Sequence, residues 1–144
     1  MKMDKQASEM LGETVIAGVA LDSQAAVRKA MKSGAGGVLG ALAGSALAGI
    51  DVKEASAPGD HNGSLYMTVG ENKVGFFSTK QGLFKNSLAQ LLAQHSRNDV
   101  QAFEIEKGVM STVHIVLQDG THYDMLCPKF NQKQLKKVQE VLTP

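Results

Sequence analysis

Residues 111–126 read STVHIVLQDGTHYDML, and the way this stretch turns back on itself decides the fold. Two strand-like runs, residues 112–118 and 121–127, flank Asp119-Gly120, a dipeptide of tight hairpin turns. A two-residue loop would pair Leu117 with His122 and Ile115 with Asp124, mixing apolar and polar side chains on both faces. A three-residue loop over residues 118–120, with Gly120 in the left-handed conformation, pairs Leu117 with Thr121, Ile115 with Tyr123 and Val113 with Met125. A one-residue slip sends every side chain to the opposite face. The register with one consistent apolar face is therefore the expected one, a type I turn closed by a glycine bulge. It also sets His114 opposite Asp124, and Val116 opposite His122, on the other, outward face.

Downstream, Leu135, Val138, Val141 and Leu142 form one stripe at helical spacing, opposite Lys133, Lys136, Lys137 and Glu140. Asn131 as N-cap, Gln134 completing a capping box and Phe130 stapled onto Leu135 mark its start. A helix with one apolar face must dock on the sheet. Upstream, LYMTV and VGFFS flank a loop at residues 70–73. Pairing Val69 with Val74 puts Leu65, Met67, Val69, Val74 and Phe76 on one face. Residues 83–95 are ambiguous: NSLAQLLAQHS, which begins at Asn86, fits either a helix or one or two strands. Residues 100–106, VQAFEIE, alternate as a strand whose phase slips at Ala102-Phe103, the mark of a bulge.

Taken together, GSLYMTVGENKVGFFSTK, SRNDVQAFEIEKG, STVHIVLQDGTHYDML and a closing amphipathic helix resemble the bacterial pleckstrin-homology-like (PH-like) domains. Leu65, Thr68, Val74 and Phe76 match a strand motif of that group, Asn98-Asp99-Val100 its polar turn, and Ile115, Leu117, Asp119 and Gly120 its Asp-Gly hairpin. The resemblance covers about residues 13–23 and 63–143. It implies an α+β fold: a strongly bent antiparallel sheet or barrel of seven strands, closed at one end by the C-terminal helix. It implies no catalytic residues, and roles in binding lipid head groups, peptides or partner domains.

The N-terminal part departs from that pattern. Residues 3–11 are expected to be a short helix and 13–21 (ETVIAGVAL) the first strand, with Asp22 or Ser23 capping a helix over 24–32. Residues 34–50, GAGGVLGALAGSALAGI, follow without one charge. Gly36, Gly40, Gly44 and Ala48 form one row at four-residue spacing, and Gly37, Ala41, Ser45 and Gly49 another. On a helix these rows merge into a smooth face that admits close backbone approach. Seventeen helical residues span roughly 25 Å, short of the roughly 30 Å hydrocarbon core of a bilayer. The expectation is one domain over residues 1–144: a helical, glycine-rich insertion or hairpin at 23–50 after the first strand, a polar linker at 51–64, and a strand-rich core with its helix at 65–143. Arg28, Lys29, Lys32 and Lys53 are the inserted loop's scattered cations, so phosphoinositide recognition of the familiar PH kind is not expected.

Composition bounds the chemistry. A net charge of +1 gives no global reason to expect nucleic acid. Five phenylalanines, two tyrosines and no tryptophan leave little for base stacking. The single Cys127, alternating with Met125 and Tyr123, excludes an internal disulfide and reads as core packing. MKMDKQASEMLGE lacks the apolar run of a signal peptide, so a cytoplasmic location is expected, with peripheral attachment at the inner membrane face as the variant. His114, His122 and Asp124 can approach one another as candidate metal ligands, though the plain structural reading is two solvent-facing histidines beside a carboxylate, or a face covered by the glycine helix. His61 and His95 show no base–nucleophile partner. The overall expectation is a non-catalytic, cofactor-free binding or assembly module. Its partner is a protein or a second copy, met through the glycine-faced residues. A membrane-associated module is the alternative, and a small metal-dependent enzyme the third reading.

Overall fold

A computed structural model describes residues 2–22, 55–60, 63–81, 86–107 and 111–142. The helix expected over 24–32 and the glycine-faced residues Gly36, Gly37, Gly40, Ala41, Gly44, Ser45, Ala48 and Gly49 lie outside the described residues. In chain order the elements are α1 (Lys2–Leu11), β1 (Val15–Leu21), β2 (Ala55–Ser56), β3 (Leu65–Gly70), β4 (Lys73–Gln81), β5 (Asn86–Ser96), β6 (Val100–Glu106), β7 (Ser111–Leu117), β8 (His122–Cys127) and α2 (Gln132–Leu142). Short 3-10 turns precede β6 and α2, and another follows β2.

The class is α+β. One sheet runs β1-β3-β4-β5, all antiparallel. The other runs β2-β8-β7-β6, in which three antiparallel strands carry the two-residue β2 as a parallel neighbour of β8. The sheets meet at one corner, where Asp22, just beyond β1, exchanges backbone hydrogen bonds with Leu126 of β8 at 2.7 and 3.2 Å. The expected barrel does not close: β5 and β6 are the outer strands of different sheets.

Alternation sorts the side chains. Leu65, Met67, Val69, Val74 and Phe76 share the inner face of the first sheet, with Val69 opposite Val74 as expected. The strands close on a two-residue turn, Glu71-Asn72, tighter than the expected four-residue loop. Val113, Ile115, Tyr123 and Met125 face them from the second sheet, and Leu135 and Val138 of α2 fill the end. The hairpin has the expected register, Ile115 opposite Tyr123 and Val113 opposite Met125, with Leu117 N–H donating to the Thr121 carbonyl at 2.8 Å. Gly120 sits at φ 92°, the left-handed position that the bulged turn requires.

α1 covers the outer face of the first sheet, burying Ala7 and Leu11 on Phe77. Lys73 donates from its ammonium to the Leu11 carbonyl at the helix end at 3.0 Å. Gly18 lets this layer close, since a Cβ there would overlap the Tyr66 hydroxyl and the Asp4 carboxylate. Those two groups are hydrogen-bonded, Tyr66 donating to Asp4 at 2.5 Å. Both faces of β3 are thereby covered, and all six of its residues are buried.

Several local expectations change. Of the ambiguous residues 83–95, the described part from 86 onward is one strand, β5. Leu88, Leu91 and Leu92 mimic a helical stripe because a register shift opposite Phe77–Thr79 adds a residue to β5, so that Leu88 and Leu91, three apart, share one face while Leu92 takes the other. Leu88 and Leu91 pack under α1, and Leu92 in the main core. The bulge in β6 falls one position early, between Val100 and Ala102. Within the stretch read as linker, Ala55–Ser56 pairs with His122 and Tyr123, and Ala57 is buried. At α2 the stripe is as expected, but the staple is not formed: Phe130 is 81% exposed. A 3-10 turn at Lys129–Asn131 points it away from Leu135, and Asn131 donates its side-chain amide to the Ala20 carbonyl of β1 at 3.2 Å.

Arg97, which the sequence reading passed over, clamps two elements. Its guanidinium donates to the Gly70 and Glu71 carbonyls at 3.1 and 3.3 Å and to the Val141 carbonyl at 2.5 Å. It thus binds the β3–β4 turn to the last turn of α2, whose orphan carbonyls need donors.

Candidate functional site

The outward face of the β7–β8 hairpin carries the densest polar chemistry among the described residues. His114 and Asp124 are direct cross-strand partners, and His122 lies two residues from Asp124 on the same strand, so all three project to one side. The expected convergence is present. The solvent-facing reading is not: His114 is 3% exposed, His122 1% and Asp124 0%. Ala102, Val116 and Leu126 on the same face are buried too.

Asp124 Oδ1 lies 2.6 Å from His114 Nδ1 and 2.5 Å from His122 Nε2. A carboxylate only accepts, so the proton in the short His114 contact sits on Nδ1. The two imidazoles tilt at 37° with centroids 5.8 Å apart. On the far side of His114, Nε2 faces Glu106 Oε2 at 3.6 Å, a charge contact beyond hydrogen-bond range. His114 Nε2 and Asp124 Oδ2 are buried without a hydrogen-bond partner among the described residues.

Electrostatics follow from this packing. Burial alone would disfavour charge on His114, but the hydrogen bond to Asp124, its charge and that of Glu106 outweigh it and raise the imidazole pKa. Burial likewise disfavours ionised Asp124, yet the hydrogen bonds and charges of His114 and His122 hold its carboxyl below the usual range. The arrangement keeps a carboxylate charged between two imidazoles, with a second carboxylate, Glu106, at the rim. Glu106 was missed at the sequence level. The signal was present in the β6–β7 register, which sets Glu104 opposite His114 and Glu106 opposite Thr112 on this same face.

A second feature is a cleft of about 380 Å³ between α2 and the neighbouring ends of β6 and β7. Ile105 and Leu135 supply its apolar part; Lys107, Lys133 and Lys136 border it, and among the described residues no carboxylate lines it. Lys133 and Lys136 were read from sequence only as the solvated side of α2. Among the described strands β6 is the outer one of its sheet, and its end borders this cleft.

His95 and Cys127 are structural. His95 meets the Tyr123 hydroxyl at 2.9 Å and packs edge-on against Phe76. Burial is the main influence holding its pKa below the ordinary histidine value. Cys127 is fully buried and burial pushes its thiol up to about 11, away from nucleophilic chemistry. His61 lies outside the described residues. No helix among the described residues is long and apolar enough to cross a membrane. Searches of protein-family models, curated proteins and solved structures found no match to this chain.

Proposed function

We propose that this chain is a non-catalytic binding module of PH-like architecture that takes an acidic, extended segment of a protein partner into the cleft between α2 and β6. The observation that carries the reading is the cleft itself. It combines a volume within the range of specific ligand sites, two apolar side chains for burial, three lysines and, among the described residues, no acidic neighbour in its wall. The adjoining β6 edge offers backbone groups to an added strand, so main-chain hydrogen bonds supply affinity and the lysines select negative charge. What supports the PH-like part is the order of elements: four antiparallel strands, then three, then a helix across one end, in the succession the resemblance implies. In the assembly part of the reading, a second copy meets the face made by Gly36, Gly40 and Gly44, which rests on sequence alone.

The test is fluorescence anisotropy with a labelled Asp/Glu-rich decapeptide, on wild type and the double variant Lys133→Glu/Lys136→Glu. Reversing two rim charges at roughly 0.2–1 kcal/mol per contact, counting both lost attraction and new repulsion, is expected to weaken binding about tenfold. Affinity for the wild type should fall as salt rises. Equal binding by both proteins overturns the reading. Co-sedimentation with phosphatidylserine vesicles in the absence of any peptide binding reassigns the lysines to a membrane surface.

A further inference from the structure

We propose that His114, His122 and Asp124 form a buried binding site for a first-row divalent cation, zinc being the natural probe, with Glu106 as the outer carboxylate that orients His114.

Four observations carry this. The donor set is right in kind: two imidazole nitrogens and one carboxylate oxygen suit the borderline first-row ions, and the absence of thiolate from the set disfavours soft ones. The donors already converge, since their ligand atoms lie within 4.8 Å of one another on a rigid two-stranded ribbon. A tetrahedral ion with bonds of about 2.0–2.1 Å needs ligand atoms roughly 3.3 Å apart. The 2.5 and 2.6 Å contacts would therefore open by less than 1 Å, within reach of a turn about the Asp124 side chain, while the widest pair in the set, within 4.8 Å, would close by up to about 1.5 Å. That turn has a purpose, because Asp124 Oδ2 is a fully buried carboxylate oxygen with no hydrogen-bond partner among the described residues. The fourth observation is Glu106. A histidine that ligates through one ring nitrogen characteristically has its other nitrogen facing a carboxylate or carbonyl. His114 presents Nδ1 to the cluster and Nε2 to Glu106 at 3.6 Å.

The chemistry balances without any further reactant. Loading replaces the proton on His114 Nδ1, and any on His122 Nε2, by the cation, and those protons go to solvent. Two positive charges then meet the Asp124 carboxylate directly, with Glu106 beyond His114. Near-complete burial points to an ion taken up as the sheet forms and held structurally, not one that meets substrate. This inference is independent of the α2–β6 cleft and stands or falls without it.

The experiment is refolding of the full chain from urea with or without one equivalent of zinc, removal of loose ion by gel filtration, and elemental analysis. Cobalt substitution then reports geometry through its visible absorption. Wild type is expected to retain close to one zinc per chain and to give cobalt bands of tetrahedral or five-coordinate intensity. His122→Asn and Asp124→Asn should lose the ion. Glu106→Gln, whose partly exposed side chain makes misfolding a lesser concern, should fold and bind 10–100-fold more weakly. Far less than stoichiometric zinc in folded wild type overturns the proposal, and so does unchanged affinity in Glu106→Gln together with unchanged zinc in Asp124→Asn. If the two ligand variants do not fold, the wild-type stoichiometry and the Glu106→Gln affinity decide between these results.

Discussion

Replacing Asp124 by Asn changes no volume but removes the charge at the centre of the buried cluster. Asp124 Oδ1 meets His114 Nδ1 at 2.6 Å and His122 Nε2 at 2.5 Å. Each charge-assisted hydrogen bond is worth about 1.5–3 kcal/mol net. Breaking a buried charged pair from one side typically costs about 3–5 kcal/mol, because the surviving partner is left desolvated. An asparagine can accept through its oxygen, but it carries no charge to offset an imidazolium. The expected loss for metal-free protein is therefore about 3–5 kcal/mol. With a urea slope of about 2 kcal/mol per molar for a domain of this size, the midpoint should fall by roughly 1.5–2.5 M. The triple change His114→Leu/His122→Leu/Asp124→Leu removes both sides of every pair and is expected to cost less than the single one.

The pH dependence has a definite sign. His114 is raised on folding, so its contribution is complete below the unfolded value of about 6.5 and is lost as pH climbs through the folded value. Asp124 is lowered, so its contribution is complete above the unfolded value of about 4 and is lost as pH falls through the folded value. The advantage of wild type over Asp124→Asn should thus be greatest between about pH 4.5 and 6 and shrink on either side. Urea titrations at pH 3, 5.5 and 8.5, in chelator, measure it. A difference below about 1 kcal/mol at pH 5.5, or one that does not vary with pH, refutes the reasoning.

Three further outcomes are expected. Arg97→Met removes three carbonyl contacts that join the β3–β4 turn to α2; it should cost about 1.5–3 kcal/mol, or several degrees of melting temperature by calorimetry. Phe130→Ser should change stability by less than about 0.5 kcal/mol, because the ring is 81% exposed and makes no staple; a larger loss would restore the hydrophobic staple. Gly40→Leu and Gly44→Leu should lower the oligomeric mass seen by light scattering; an unchanged mass removes the glycine face from self-association.

The hairpin of β7 and β8 was legible because two independent constraints agree there: an Asp-Gly turn and an apolar face that tolerates one register only. β3 and β4 were legible from their apolar face alone, which sets Val69 opposite Val74. β5 was not, because a bulge sets Leu88 and Leu91 on one side while Leu92 takes the other, and period alone cannot separate that pattern from a helix. The convergence of His114, His122 and Asp124 followed from register, but their burial did not. Polar side chains on alternate positions normally face water, and covering such a face is a tertiary property. Glu106 and Lys107 stand where β6 ends, so their roles depend on strand pairing and on where α2 lies. Asn131 shows the limit at helix ends: its type suits a cap, while its amide is also bound to Ala20 across the fold.

Amide chemical-shift mapping of the ¹⁵N-labelled chain against an acidic extended peptide tests the binding role most directly. Perturbations should concentrate at Ile105, Lys107, Lys133 and Lys136, saturate with added peptide and fade with salt. Perturbations confined to the α1 side of the first sheet, or none at millimolar peptide, would contradict it.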